Sequence, residues 1–309
     1  MKRILVTGAT SMIGTALIQV AVREGTEVYA IVRPGTKRME RLPQHPQVHT
    51  VFGGLESLLD IQGLPDQCDC FYHLAWDGTK RSVRDDPQVH ERNIRYTLDA
   101  VELAKKTGCK RFVGAGSQAE YGPVADKIDE NTKFAPVTSY GIAKYASCIL
   151  SGKRCEQLGI EHIWGRIFSV YGPHDNEGTM LNTAVDNFLA GRTAHFSAAS
   201  HMWNYLYESD AGEMFYRLGQ EKCRPGVCLI ANNESRVLKD YILELADLFG
   251  PEASCEFDKT AIVPLSGLNV DMRSSCEKLD YIPVVSFRDG ILETINARRN
   301  MQISGSLSY

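Results

Sequence analysis

Apolar positions in the first half of the chain fall into short continuous runs, separated by stretches with helical spacing. Arg3-Ile-Leu-Val-Thr7 and Glu27-Val-Tyr-Ala-Ile-Val32 have the length and composition of buried strands. Between them lie a glycine-containing turn, Gly8-Ala-Thr-Ser11-Met-Ile-Gly14, and a helical stretch from Thr15 to Glu24 closed by Gly25. Strand, turn, helix and strand in about 30 residues predict a βαβ unit. Further strands are predicted at 47–52, 69–74, 111–115 and 161–168. A long amphipathic helix spans 86–106 and opens on Asp86-Pro87, and a second carries Tyr140 and runs to about Leu158. Six strands with intervening helices predict an α/β fold with a doubly wound parallel sheet, a Rossmann architecture. After residue 170 the pattern is mixed, with helices expected at 180–190, 210–219, 235–249 and 286–299, the last two capped by Ser235 and Ser286. The expected division is therefore a nucleotide-binding domain at residues 1–170 and a smaller α+β substrate lobe at 171–309, with some exchange of chain between them.

Composition narrows this picture. With 309 residues, 43% of them hydrophobic, the chain can bury a large core. The net charge is −4 and no basic block stands out, so nucleic acid is not an expected partner. The N-terminus enters a strand pattern at once, leaving no room for a signal peptide, and no apolar run approaches the roughly 20 residues of a membrane span. A cytoplasmic protein without a membrane partner is expected. The nine cysteines are irregularly spaced, and Cys68-Asp-Cys70 has no second pair with metal-ligand spacing, so reduced thiols and no metal site are expected.

In a doubly wound sheet ligands bind beyond the carboxyl ends of the strands. That rule selects Gly8–Gly14, Arg33, His73–Trp76, Gly116–Gly122 and Ser169–Pro173. The N-terminus of the first helix offers free N–H groups and a positive dipole end to a phosphate. Gly8 would permit the tight turn and Gly14 close packing, while Ser11 stands where such turns usually carry a middle glycine. Arg33, followed by Lys37 and Arg38, occupies the place of the acid that binds an NAD ribose, so NADP is expected over NAD. Tyr140 and Lys144 lie four apart on one helix face, where an ammonium would lower the tyrosine pKa. Ser117 lies just past the fifth strand.

With these pieces placed, the chain resembles the extended short-chain dehydrogenase/reductase family, which includes nucleotide-sugar epimerases, dehydratases and ketoreductases. The resemblance rests on Thr7-Gly8-Ala-Thr-Ser-Met-Ile-Gly14, His73-Leu-Ala75, Asn93, Gly116-Ser117-Gln-Ala-Glu-Tyr-Gly122, Tyr140-x-x-x-Lys144 and Arg166-Ile-Phe-Ser-Val-Tyr-Gly-Pro173. Leu279-Asp-Tyr-Ile-Pro283 and Ser286-Phe-Arg-Asp-Gly290 complete it. It implies Tyr140 as the proton-transferring residue, Lys144 as its electrostatic partner and Ser117 as hydrogen-bond donor to the reacting oxygen. It implies cofactor contacts from Thr7, Gly8, Ser11, Met12, Ile13, Gly14, Leu74, Ala75, Trp76, Asn93, Lys144 and Ile167, joined by Arg33 and Arg38. Substrate contacts are expected from Trp76, Ser117, Gln118, Tyr140, Ser169, His174 and Trp203.

The departures are informative. Gln118-Ala119 stands where the family's dehydratases carry an Asp-Glu pair, which removes the acid and base of elimination. Ala119 also replaces the cysteine of its 3,5-epimerases. Trp203 stands where an arginine usually binds the diphosphate, leaving Arg166, Arg192 or Arg273 for that role. What remains is hydride transfer at one carbon. The leading expectation is NADPH-dependent reduction of a 4-keto (6-deoxy) nucleotide sugar. The alternatives are a UDP-sugar 4-epimerase with tightly bound NAD and a non-catalytic dinucleotide-binding protein. The resemblance also implies a homodimer formed through the helices at 86–106 and 139–158.

Overall fold

The computed structural model describes residues 1–79, 81–258, 260 and 267–303. The predicted βαβ unit forms from β1 (Arg3–Thr7), α1 (Met12–Arg23) and β2 (Glu27–Val32). It is followed by β3 (Val48–Phe52), β4 (Cys70–His73), α2 (Pro87–Lys106), β5 (Arg111–Ser117), α3 (Ser139–Leu158) and β6 (Glu161–Ile167). The second half contributes β7 (Ser169–Tyr171), α4 (Met180–Leu189), β8 (Ala194–Ser197), β9 (Met202–Trp203), β10 (Tyr205–Tyr207) and α5 (Glu208–Leu218). After these come β11 (Gly226–Ile230), β12 (Arg236–Val237), α6 (Leu238–Asp247), β13 (Cys255–Asp258), α7 (Arg273–Leu279) and α8 (Phe287–Ile303).

Seven strands make one parallel sheet in the order β11-β6-β5-β4-β1-β2-β3. The chain winds outward from β1 to β3, then crosses to β4 and winds the other way. The crevice between the carboxyl ends of β1 and β4, where Thr7 pairs with His73, is the switch point at which such sheets bind ligands. Both faces are covered. Ile4, Val6, Val28 and Val113 share a core with residues of α1 and α5, while Leu5, Ile31, Phe71 and Phe112 face α2 and α3. Burial on both faces is why these strands read as continuous apolar runs.

One strand of the sheet escaped the sequence reading. Gly226-Val-Cys-Leu-Ile230 is a five-residue apolar run beyond residue 170, and it pairs with β6. A run this short does not distinguish strand from helix by periodicity, and its partner lies some 60 residues earlier. Helix ends follow local chemistry. The Asp86 carboxylate accepts from the N–H groups of Gln88 and Val89 to start α2, and Thr138 caps α3, which ends on Gly159. Ser286 caps α8 by accepting from Asp289 N. Ser235 is not a cap: α6 begins only at Leu238, and the Ser235 hydroxyl accepts from Asn204 Nδ2 and Val270 N.

The remaining elements gather around an aromatic cluster of Tyr171, Tyr205, Tyr207, Tyr241 and Phe287. Three short strand pairs, β7/β10, β8/β13 and β9/β12, frame it. All nine cysteines are free thiols, and seven are buried. Among the described residues no helix is long and apolar enough to cross a membrane.

Candidate active site

The crevice opens on the turn between β1 and α1. Gly8 has a φ of +70°, and a Cβ there would lie 2.7 Å from Ala75 N and 2.8 Å from the Leu74 carbonyl carbon. Only glycine combines that backbone with so close an approach. Ser11 is the N-cap of α1, its hydroxyl accepting from Gly14 N at 3.1 Å. A serine in the middle-glycine place thus starts the helix and keeps its own proton to donate. Met12 and Ile13 sit in the first turn, where backbone N–H groups have no intrahelical acceptor. This turn fits the pyrophosphate of a dinucleotide: free donors and a positive dipole end. Leu74 and Ala75 flank it.

Behind the turn the polar residues serve as fasteners. The buried Thr7 hydroxyl is directed at His73 Nδ1, 3.0 Å away, and accepts from Ala75 N at 3.4 Å, so it ties β1 to the end of β4. Burial, then the Lys144 charge, pushes the His73 pKa down to about 3, making it a neutral anchor. Asn93 departs from its expected cofactor contact. It is 1% exposed, donates to the carbonyls of Asp77 and Val89, and accepts from Asp77 N. Its amide therefore clamps the loop after β4.

The catalytic candidates converge one strand over. β5 ends at Ser117, where a short 3-10 turn, Gln118–Glu120, begins. A Cβ on Gly141 would lie 2.4 Å from the Ala119 carbonyl oxygen, so glycine lets the first turn of α3 seat directly on this turn. That contact sets Tyr140 beside Ser117. Lys144, one turn along α3, is buried; its ammonium donates to Ala115 O at 2.7 Å and lies 3.7 Å from the ring centroid of Trp76. Trp76 and His90 meet the Tyr140 ring edge-on at 6.0 and 5.5 Å.

The electrostatics differ from the expected Tyr–Lys pairing. Lys144 Nζ is 5.9 Å from the Tyr140 ring centroid, turned toward Ala115. Burial raises the Tyr140 pKa above its ordinary value, opposed by the Arg84 charge and the Ser117 hydroxyl. Burial also pushes Lys144 down to about 7.

Glu120 and Arg166 support this arrangement from beneath, and neither was expected in that role. Glu120 is 0% and Arg166 1% exposed. One Glu120 oxygen accepts from Ser117 N at 2.8 Å and Trp164 Nε1 at 3.0 Å, and the other accepts from Arg166 Nε at 2.7 Å. The Ser-x-x-Glu spacing of a capping box was the available signal, and both halves of that box form. Arg166, sealed in this pair, is not a diphosphate ligand. Arg273 is bound to Asp271, and Arg192 donates to Asn187.

The other candidates scatter. Ile167 pairs in register with Ser117, Gln118 opens the 3-10 turn, and Ser169 begins β7. Arg33 is exposed just past β2; Arg38 donates to Asn176 Oδ1 at 3.2 Å, and Arg41 donates to His174 O at 3.0 Å. His174 is held by Glu208, which accepts from its backbone N–H and lies 2.7 Å from its Nδ1, so it ties the loop after β7 to α5. Trp203 packs at the seam of two cores against His201 and Tyr205, which makes it a packing residue of β9.

The NAD dependent epimerase/dehydratase family profile matches residues 4–231. An uncharacterized UDP-glucose epimerase of Bacillus subtilis is 25% identical over 307 residues, covering 95% of this chain and 96% of its own. A UDP-glucose 4-epimerase of Mycolicibacterium smegmatis is 25% identical over 312 residues, covering 96% and 99%. The crystal structure of a UDP-glucuronic acid 4-epimerase from Bacillus cereus in complex with NAD superposes with a TM-score of 0.82 at 21% identity, over 97% of both chains, and so shares the fold. A profile matched across most of the chain, on a seven-stranded Rossmann sheet with this crevice, makes the protein a member of the NAD-dependent epimerase/dehydratase family, of the extended short-chain dehydrogenase/reductase type, and an enzyme of that kind.

Proposed function

We propose that the chain is an NAD-dependent 4-epimerase of a nucleotide sugar. The observation that carries this is the convergence of Ser117, Tyr140 and Lys144 at the carboxyl end of β5, two strands from β1 and the α1 turn. Residues 8–14 would hold the pyrophosphate. Bound NAD supplies the means to take a hydride from the sugar carbon and return it to either face. Tyr140 then takes the proton from the 4-hydroxyl as the carbon is oxidised and gives it back as the carbon is reduced. The Ser117 hydroxyl donates to the same oxygen, and the Lys144 ammonium adds positive charge to the site. Gln118-Ala119 offers no carboxylate pair, so the acid and base of water elimination are missing. Relatives named as UDP-sugar 4-epimerases support this reading over the NADPH-dependent reduction expected from the sequence. Arg33, exposed at the end of β2, favours that reductase as the second reading.

The test is direct. Cofactor released from purified protein is identified by chromatography, and UDP-glucose with NAD is assayed for the 4-epimer. Bound NAD and two-way conversion are expected, and Tyr140→Phe should abolish turnover while holding cofactor within a few-fold. NADPH consumed in one direction by a 4-keto sugar would establish the reductase instead. Wild-type turnover in Tyr140→Phe would sink both.

A further inference from the structure

Arg84 belongs to none of the motifs by which the family is read, yet its guanidinium lies over the ring of Tyr140, 4.4 Å from the centroid. That is closer than the Lys144 ammonium, at 5.9 Å. Three contacts hold the segment that presents it. His90 Nε2 donates to the Arg84 carbonyl at 2.9 Å, which leaves Nδ1 of the neutral ring to accept from Trp76 Nε1 at 3.3 Å. The next residue, Asp85, accepts from Ser139 N at 2.7 Å, and its carbonyl accepts from the Ser139 hydroxyl at 3.1 Å. Ser139 is the first residue of α3 and the neighbour of Tyr140. Asp86 then caps α2. The loop is therefore fastened to α2 on one side and to the Tyr140 turn on the other, with the Arg84 side chain between.

We propose that Arg84 is a second cation of the proton-transfer centre, placed on Tyr140 to stabilise the phenolate through which that residue acts. The inference rests on Tyr140 being the proton-transferring group. Among the described residues the charged and titratable groups facing Tyr140 are few. Lys144 comes from α3 itself, Arg84 from the loop before α2, His90 from α2 and Glu120 from the turn after β5. Glu120 is already paired with Arg166. Lys144 is directed to Ala115 O and covered by Trp76, so among the described residues Arg84 is the cation nearest the phenol ring. Arg84 is exposed, and its influence is the largest of those lowering the Tyr140 pKa against burial. An exposed cation at this range moves a titration by on the order of half to one pH unit.

The test reads Tyr140 itself. Protein loaded with NAD and carrying carbon-13 at tyrosine Cζ is titrated by NMR, with Tyr140→Phe assigning the resonance among the 13 tyrosines. In Arg84→Gln the midpoint should move alkaline by about half to one unit, and Arg84→Lys should restore part of the shift. Because Arg84 is exposed, raising salt should move the wild-type midpoint alkaline too, and this measurement needs no variant to fold. An unmoved midpoint in a folded Arg84→Gln, or a wild-type midpoint indifferent to salt, overturns the proposal. An Arg84 that only fastened its loop would change thermal stability and leave the midpoint in place. Turnover of UDP-glucose separately tests the role of Tyr140: an active Tyr140→Phe removes the functional reading, whereas an inactive one with an unmoved Arg84→Gln midpoint removes only the role of Arg84.

Discussion

Replacing Glu120 by Gln should destabilise the protein sharply, although the shape of the side chain hardly changes. Three donors converge on this carboxylate: Ser117 N, Trp164 Nε1 and Arg166 Nε. An amide accepts at one oxygen only, and its NH2 group must then face one of those donors. The larger effect is electrostatic. Arg166 is 1% exposed, so the substitution leaves a guanidinium in the core with no compensating charge. Removing one partner of a buried pair costs about 3–5 kcal/mol. For a chain of 309 residues, at roughly 2.1 cal/mol/K of unfolding entropy per residue, that is a fall in Tm of about 5–8 °C. Scanning calorimetry measures it. The double variant Glu120→Leu/Arg166→Met should recover most of the loss, because it removes the charge and its partner together. Glu120→Gln should also lower turnover, since the turn that carries Ser117 loses its charged tie to Arg166. A single variant melting within about 1 °C of wild type would refute the account, because an uncompensated buried charge cannot be that cheap.

Other consequences follow from single contacts. Lys144, held near 7 by burial against an ordinary 10.5, should make the cofactor-free protein pH-sensitive. Between those values the unfolded chain binds the extra proton, so stability rises with pH relative to Lys144→Met; urea melts across the window that show no difference in slope would remove the effect. Gly8→Ala forces a left-handed backbone on a residue with a Cβ and a contact at 2.7 Å, and should cost at least about 1–2 kcal/mol along with NAD affinity, as read by melting and by calorimetric titration. On α3, Ile142, Ile149 and Leu150 remain 52%, 54% and 46% exposed, a stripe suited to the proposed homodimer through α2 and α3. Sedimentation equilibrium should show a dimer that Ile149→Glu weakens, and a wild-type monomer would end the idea.

The order of strands and helices through β6 was legible because each is a local pattern. Residues 3–7 and 27–32 are buried on both faces, and a strand so placed is apolar throughout. The Asp86 start of α2, the end of α3 near Leu158 and the Gly8 turn are local chemistry, and they stand where the sequence put them. The relation of Tyr140 to Lys144 was legible as spacing. Its electrostatics were not, because burial and the Arg84 charge act across space and leave no mark on a four-residue motif.

By itself, then, the sequence determined the βαβ unit, the glycine turn at residues 8–14 and the residue types of the proposed proton-transfer centre, since backbone preference and periodicity act over a few neighbours. Tertiary structure alone decided the rest. It set β11 at the sheet edge beside β6 and buried Arg166 against Glu120, 46 residues away. It closed Asn93 around Asp77, gave His174 to Glu208, and brought Arg84 onto Tyr140. Each of these depends on which distant segments the packed sheet brings within a few ångströms, and that distance is fixed only when the whole core has formed.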